Sequence, residues 1–230
     1  MDHRRRGHGP PPLGAVPPAR RRAIRVEHVR GTAAEVHGRP LPESIERIAR
    51  VVEVTSPALV LGSTQPAVEE RGVPVVRRRS GGGAVLVGPG EVLWVDVLLP
   101  SGDPLWEDDV GRSFHWLGRA WVDALAALEV PAAWHDGPLI CTPWCRQVCF
   151  AGIGPGEVTV DGRKVVGLAQ RRTRAGALFQ CAALLRWDPD EMSRLLNLGT
   201  EGAAGIRNVA GALPMDGNEL ERAFIEALPA

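Results

Sequence analysis

Apolar residues fall in short alternating or continuous runs, punctuated by glycine and proline, and divide the chain into brief strands and a few amphipathic helices. Residues 23–30 alternate weakly, residues 43–49 follow Pro42 as a short helix, and residues 51–62 read as two strand pieces broken at Pro57. Residues 73–99 are strand-like almost throughout, with turns at 81–83 and 88–90, which predicts an antiparallel meander. Asp103 then serves as a cap with Pro104 at the first helical position, and Glu107, Asp108 and Asp109 lie near the positive end of the helix dipole. Val110, Phe114, Leu117, Trp121, Leu125 and Leu128 recur every three or four residues, placing one apolar stripe against a sheet until Pro131 ends the helix. His115 sits beside that stripe as a partly packed or surface residue.

Asp161 and Gly162 are a two-residue hairpin signal, so Arg163 and Lys164 open a strand through 171. Ala175 and Gly176 turn the chain into another strand, 178–187. Asp188 with Pro189, Asp190 and Glu191 starts a helix through 198, and Asn218 and Glu221 cap a last helix through 228. No repeat appears. Sheet segments separated by amphipathic helices predict an α+β fold, a mostly antiparallel sheet packed by helices, rather than alternating βαβ units.

Composition narrows the function classes. The 230 residues include 44% hydrophobic and 23% charged side chains at a formal net charge of zero, so there is no general electrostatic footprint for nucleic acid. No apolar run approaches a bilayer span, and a cytoplasmic location is expected. Residues 1–22 mix arginine and proline without a signal-peptide core and read as a disordered basic tail, leaving 23–230 as the catalytic domain with no C-terminal accessory domain. Four cysteines in such a chain are expected as reduced thiols. Cys141, Cys145 and Cys149 recur every four residues, but without a CxxC or HxxxH partner the spacing argues against a metal site.

Two segments carry chemistry. Arg77, Arg78 and Arg79 precede Ser80 and the glycines Gly81, Gly82 and Gly83, with Ala84 following. Such a triplet lets a carboxylate or phosphate lie on backbone N–H groups, though taken alone it is equally a hairpin with solvated arginines. It lacks the Gly-Lys-Ser/Thr of a P-loop. The second segment holds Lys164, a single lysine among 27 lysines plus arginines. Where surface charge alone is needed this composition supplies arginine, whereas lysine is a compact point charge that tolerates desolvation.

Together these segments resemble the lipoate protein ligase A group of the biotin/lipoate protein ligase superfamily. The pattern R-R-x-S-G-G-G-A-V is matched through Val85, and G-x-K-(apolar)-x-G-x-A-Q-x-R is matched from Gly162 through Arg172. Gly62, Ser63, Thr64 and Gln65 are similar to the family's loop after an early strand, and the resemblance runs from about residue 23 to 198. It implies activation of lipoate by ATP with Mg²⁺ to lipoyl-AMP, then transfer to a lysine of an acceptor domain in a 2-oxoacid dehydrogenase or glycine cleavage H protein. Lys164 would bridge acyl carbonyl and α-phosphate oxygens. Arg78, Arg79, Ser80, the backbone of Gly81, Gly82 and Gly83, and Ala84 would line the acyl-adenylate site, and Gly167 and Ala169 would let the acyl chain cross the strand.

Two departures bear on ATP use. The family's His-Asp after the triple glycine is replaced by Val87 and Gly88, and the chain is short for the classical accessory domain, which a partner protein would then supply. A rival reading within the superfamily is an octanoyltransferase, which takes octanoate from acyl carrier protein onto a cysteine without ATP. Cys149, followed by Phe150, precedes Lys164 by the 15 residues of one such subgroup, while the other would need cysteine at Ala177. The non-enzymatic alternative is a lipoate-binding ligase partner. The resemblance favours ligation.

Overall fold

The structure, a computed structural model, describes residues 24–229; the basic tail lies outside the described residues. In chain order the elements are β1 (Arg25–Gly31), α1 (Ala33–Gly38), β2 (Ile48–Val54), β3 (Ala58–Leu61), β4 (Val75–Arg77), β5 (Val85–Val87) and β6 (Val92–Pro100). There follow α2 (His115–Ala127), β7 (Ala133–Trp134), β8 (Ile140–Cys141), β9 (Gly152–Ile153), β10 (Val158–Val160), β11 (Arg163–Arg172) and β12 (Gly176–Leu184). Helices α3 (Pro189–Leu196), α4 (Gly199–Ile206) and α5 (Gly217–Ala227) complete the chain.

Seven strands form one sheet in the order β1-β2-β6-β12-β11-β10-β7; a three-stranded sheet, β4-β3-β5, and a ribbon, β8-β9, are separate. Only β1 and β2 pair in parallel within the large sheet, so the α+β, mostly antiparallel architecture holds. Period-two alternation assigns its two faces. Val95, Val97 and Leu99 of β6, with Phe179 and Cys181 of β12, face α2 and α5, where Trp121 stacks on Phe224 at 3.8 Å. Trp94 of β6 and Ala182 of β12 face the opposite side, toward Val60 of β3 and Val85 and Val87 of β5. The site lies between those two sheets.

Several expectations hold for local reasons. Asp161 and Gly162 adopt φ of 50° and 74°, the two positive angles a tight hairpin turn needs, and β10 pairs with β11 across them. Asp188 accepts from the backbone N–H of Glu191 and caps α3 with Pro189 in its first turn. The break at Pro57 separates β2 from β3.

Other expectations are corrected. Residues 43–49 form no helix: the Ile45/Ile48 spacing that imitates a helical face instead packs both residues against Leu98, and Ile48 opens β2. The helix expected from Asp103 begins only at a 3₁₀ turn, Arg112–Phe114, that leads into α2. Asp103 is diverted into an ion pair with the buried Arg47, whose Nε donates to Oδ2 at 3.0 Å, and Val110 is left 57% exposed. Nor do residues 73–99 form a meander, because β4 pairs in parallel with β3, β5 pairs antiparallel with β3 on its other edge, and β6 belongs to the large sheet. The cap of α5 is Asp216, accepting from the N–H groups of Asn218 and Glu219, rather than Asn218. The sequence pattern gave no sign of α1, a six-residue helix closed by a reciprocal capping box between Thr32 and Glu35, or of α4.

Because Arg47 and Asp103 are both buried, removing one strands the other's charge. Asp103→Ala should cost about 3–5 kcal/mol in denaturant unfolding. Arg30→Ala, at the exposed Arg30–Glu53 pair, should cost under about 1 kcal/mol.

Candidate active site

Lys164 is fully buried near the start of β11, and its ammonium uses three acceptors. It lies 2.6 Å from Glu157 Oε2 and donates to the carbonyls of Cys149 at 2.9 Å and Gly152 at 3.0 Å. The Phe150 ring centroid is 5.1 Å away. Glu157 is satisfied in turn, accepting from the N–H of Gly154 at Oε2 and of Leu168 at Oε1. A buried charge persists when it is paired and fully hydrogen-bonded, as here.

The glycine-rich segment meets the Cys149 segment backbone to backbone. Ala84 donates to Gln147 O at 2.8 Å and accepts from Cys149 N at 2.9 Å. A Cβ on Gly83 would lie 2.5 Å from Val148 C and 2.6 Å from Cys149 N, so only glycine permits this approach. Arg78 is buried and its guanidinium is spent on the carbonyls of Val60, Gly81 and Gly83, a scaffold for the loop. Ser80 is buried and donates to Gln180 Oε1 at 2.8 Å.

Two cavities join here. An apolar slot runs between the sheets, with Val60, Val85 and Val87 above and Trp94, Gly167 and Ala182 below. A more polar vestibule is lined by Gly81, Gly82, Gly83, Gly152, Glu157 and Lys164. Cys149, Leu168 and Ala169 belong to both. Of the residues expected at the site, Lys164, Cys149, Arg78, the three glycines, Gly167 and Ala169 are therefore brought together. Ser80 supports from behind, the buried Ala84 serves the backbone link, and the exposed Arg79 lines neither cavity.

Sequence reasoning missed Glu157, His37, Trp94 and Gln180. Glu157 alone left a signal, an acidic residue at the head of an apolar strand shortly before the lone lysine. The other three reach the slot from α1, β6 and β12, which nothing local connects. The His37 ring packs at a tilt against Trp94 with centroids 4.6 Å apart, and Trp94 Nε1 donates to Asp96 Oδ1 at 2.7 Å. Gln170, at the vestibule wall, keeps a buried Nε2 with no partner, while its Oε1 accepts from Arg172 Nε.

The expectation of four reduced thiols is corrected: Cys141 and Cys145 form a disulfide, and Cys149 and Cys181 are free. Burial pushes the Cys181 thiol up to about 12, which makes it unreactive, whereas Cys149 is partly exposed.

The chain belongs to the lipoyl protein ligase A/B catalytic domain family, whose model matches residues 38–228. It is 33% identical over 120 residues to the octanoyltransferase LipM of Exiguobacterium sp., covering 50% of this chain and 42% of that protein. To the octanoyltransferase LipM of Kyrpidia tusciae it is 30% identical over 184 residues, covering 71% and 66%. The aligned part thus spans less than two thirds of either relative. Among solved structures, a T. acidophilum protein assigned as a lipoate protein ligase and holding lipoic acid superposes with a TM-score of 0.70 at 19% identity, over 90% of this chain and 84% of that one. At that identity the likeness shows the fold.

Two measurements follow from the electrostatics. In a double-mutant cycle on the buried pair, Lys164→Met and Glu157→Gln should each cost about 3–5 kcal/mol, and the double variant should cost less than their sum, giving a coupling of about 1–3 kcal/mol in denaturant unfolding. The second concerns pH. Burial, with Arg78 nearby, holds His37 down at about 4, so it costs stability as pH falls from 6.5 toward 4. Burial raises Asp96 to about 6 against hydrogen bonds and arginines that pull it down, so it costs stability as pH rises from 3.8 toward 6. The two slopes oppose, and at pH 5 they nearly cancel. In Asp96→Asn the compensation disappears, and stability should fall between pH 6 and 4 by about 2 kcal/mol more than in the parent.

Proposed function

We propose that this protein is an octanoyltransferase that carries the acyl group on Cys149. The observation that carries this reading is the position of Cys149, a free thiol at the junction of an apolar slot and a polar vestibule. An acyl chain lying in the slot presents its carbonyl carbon at that junction. The Cys149 sulfur attacks the thioester of octanoyl acyl carrier protein, the carrier's sulfur leaves and takes the proton, and octanoyl-Cys149 remains. The amine of an acceptor lysine, in a lipoyl domain of a 2-oxoacid dehydrogenase or in a glycine cleavage H protein, then attacks the same carbonyl. An amide forms and the thiol is restored. The backbone N–H groups of Gly82 and Gly83 receive the oxyanion, and Lys164 fixes the peptide that bears the nucleophile. The likeness to octanoyltransferases LipM supports the same reading.

Electrostatics favours this reading over ATP-dependent ligation. The charged residues lining the vestibule are Glu157 and Lys164, and they neutralise each other. Arg78 is committed to backbone carbonyls. A triphosphate would meet no surplus of positive charge, whereas a neutral thioester requires none. Ligation, the reading the sequence motifs favoured, remains the second reading, supported by the fold shared with a lipoate-binding neighbour.

Incubating the protein with octanoyl acyl carrier protein, without acceptor or ATP, should add one octanoyl mass that hydroxylamine removes. Cys149→Ser should abolish both the adduct and transfer to an acceptor domain while leaving the unfolding midpoint within a few degrees. If Cys149→Ser retains full transfer in the presence of ATP and lipoate, ligation is the correct reading.

A further inference from the structure

The floor of the slot follows one register line across the large sheet. Gly167 of β11 lies opposite Ala182 of β12, and Ala182 lies opposite Trp94 of β6. Along this line the side chain grows from a hydrogen to a methyl to an indole. A Cβ on Gly167 would already touch Lys164 Cε and Phe150 Cζ at 3.3 Å, so the floor is lowest beside Cys149. It rises abruptly at Trp94, which is 4% exposed and pinned by its hydrogen bond to Asp96. His37, from the last turn of α1, packs at a tilt against the same indole and sits 3.4 Å from Gln180 Nε2 through Nδ1.

Because β11, β12 and β6 are consecutive strands, the distance from the start of this line to its end is two strand spacings, about 10 Å. That is about the reach of an extended acyl chain of eight carbons. We infer that Trp94 and His37 form a stop that sets the length of the acyl chain, admitting straight medium chains near eight carbons and excluding longer ones. The inference rests on the reading that the slot holds the acyl chain, and it is independent of whether Cys149 or ATP activates that chain. The roof agrees with it: Val60, Val85 and Val87 give an aliphatic surface throughout. The His37 ring, held neutral by burial, offers the chain end an uncharged wall.

A wall of this kind discriminates by the methylene. Each carbon that finds no room costs about tenfold or more in binding. Calorimetric titration of the intact protein with saturated fatty acids of 6, 8, 10 and 12 carbons should show affinity rising to 8 and falling at least tenfold by 10 or 12. His37→Ala, a change at a partly exposed helix end, should move that break to longer chains. Ala182→Val, which raises the middle of the floor, should move it to shorter ones. Affinity that keeps rising through 12 carbons in the parent, or a break that stays at 8 in His37→Ala, overturns the stop, and binding of no fatty acid at all overturns it together with the slot reading. A break at 8 without any Cys149 thioester sinks the transfer reading alone.

Discussion

One ammonium group, with its carboxylate, holds the site together. Lys164 reaches back from β11 to the carbonyls of Cys149 and Gly152, and Glu157 ties the same charge to Gly154 and Leu168. These contacts fasten residues 149–154, a single 3₁₀ turn leading into the two-residue strand β9, to the large sheet. That segment carries the free thiol, and through Cys149 N and Ala84 it also positions the glycine-rich loop. Burying such a pair contributes little net stability, since desolvation offsets the attraction. Its value is geometric: three donors directed at three fixed acceptors specify one backbone path. Arginine could not replace it, because a planar fork does not converge on a single point.

The sequence disclosed what is encoded locally. The Asp161-Gly162 turn, the Asp188 cap and the strand break at Pro57 follow from backbone preferences, and the structure keeps all three. The two motifs identified the family because they place unusual residues at set distances from each other. What failed was pattern without context. Ile45 and Ile48 have helical spacing, yet both pack on Leu98 with Ile48 opening β2, and Arg47 between them draws Asp103 into a buried ion pair instead of leaving it to cap a helix. The slot was illegible for a different reason. Its residues come from β3, β5, β6, β11, β12 and α1, and their meeting depends on register and sheet-to-sheet packing that no local window contains.

The two faces of the large sheet divide the labour. Against α2 and α5 the strands present large side chains in close packing, with Trp121 and Phe224 stacked at the centre. Toward the small sheet the same strands present Gly167, Ala169 and Ala182, and the volume they forgo becomes the slot. A close-packed interior leaves such a void only when backbone elsewhere fixes the layers apart. The Arg78 guanidinium, bonded to Val60, Gly81 and Gly83, holds the glycine-rich loop on the small sheet, and Ser80 of that loop donates across to Gln180 of β12 in the large sheet.

The four cysteines are partitioned by environment, and the partition determines which sulfur is chemically available. Cys141 and Cys145 are spent on each other across a five-residue loop, a closure too short to contribute much through chain entropy. Its consequence is local: Cys145 lies in the vestibule wall, and joining it to Cys141 removes a second thiol from the immediate surroundings of Cys149. Cys181 faces the helices within the core, where burial holds its proton up to about 12. Only Cys149 combines a free thiol, partial exposure and a boundary between apolar and polar space. The recurrence every four residues is thus a disulfide staple followed by a free, partly exposed thiol.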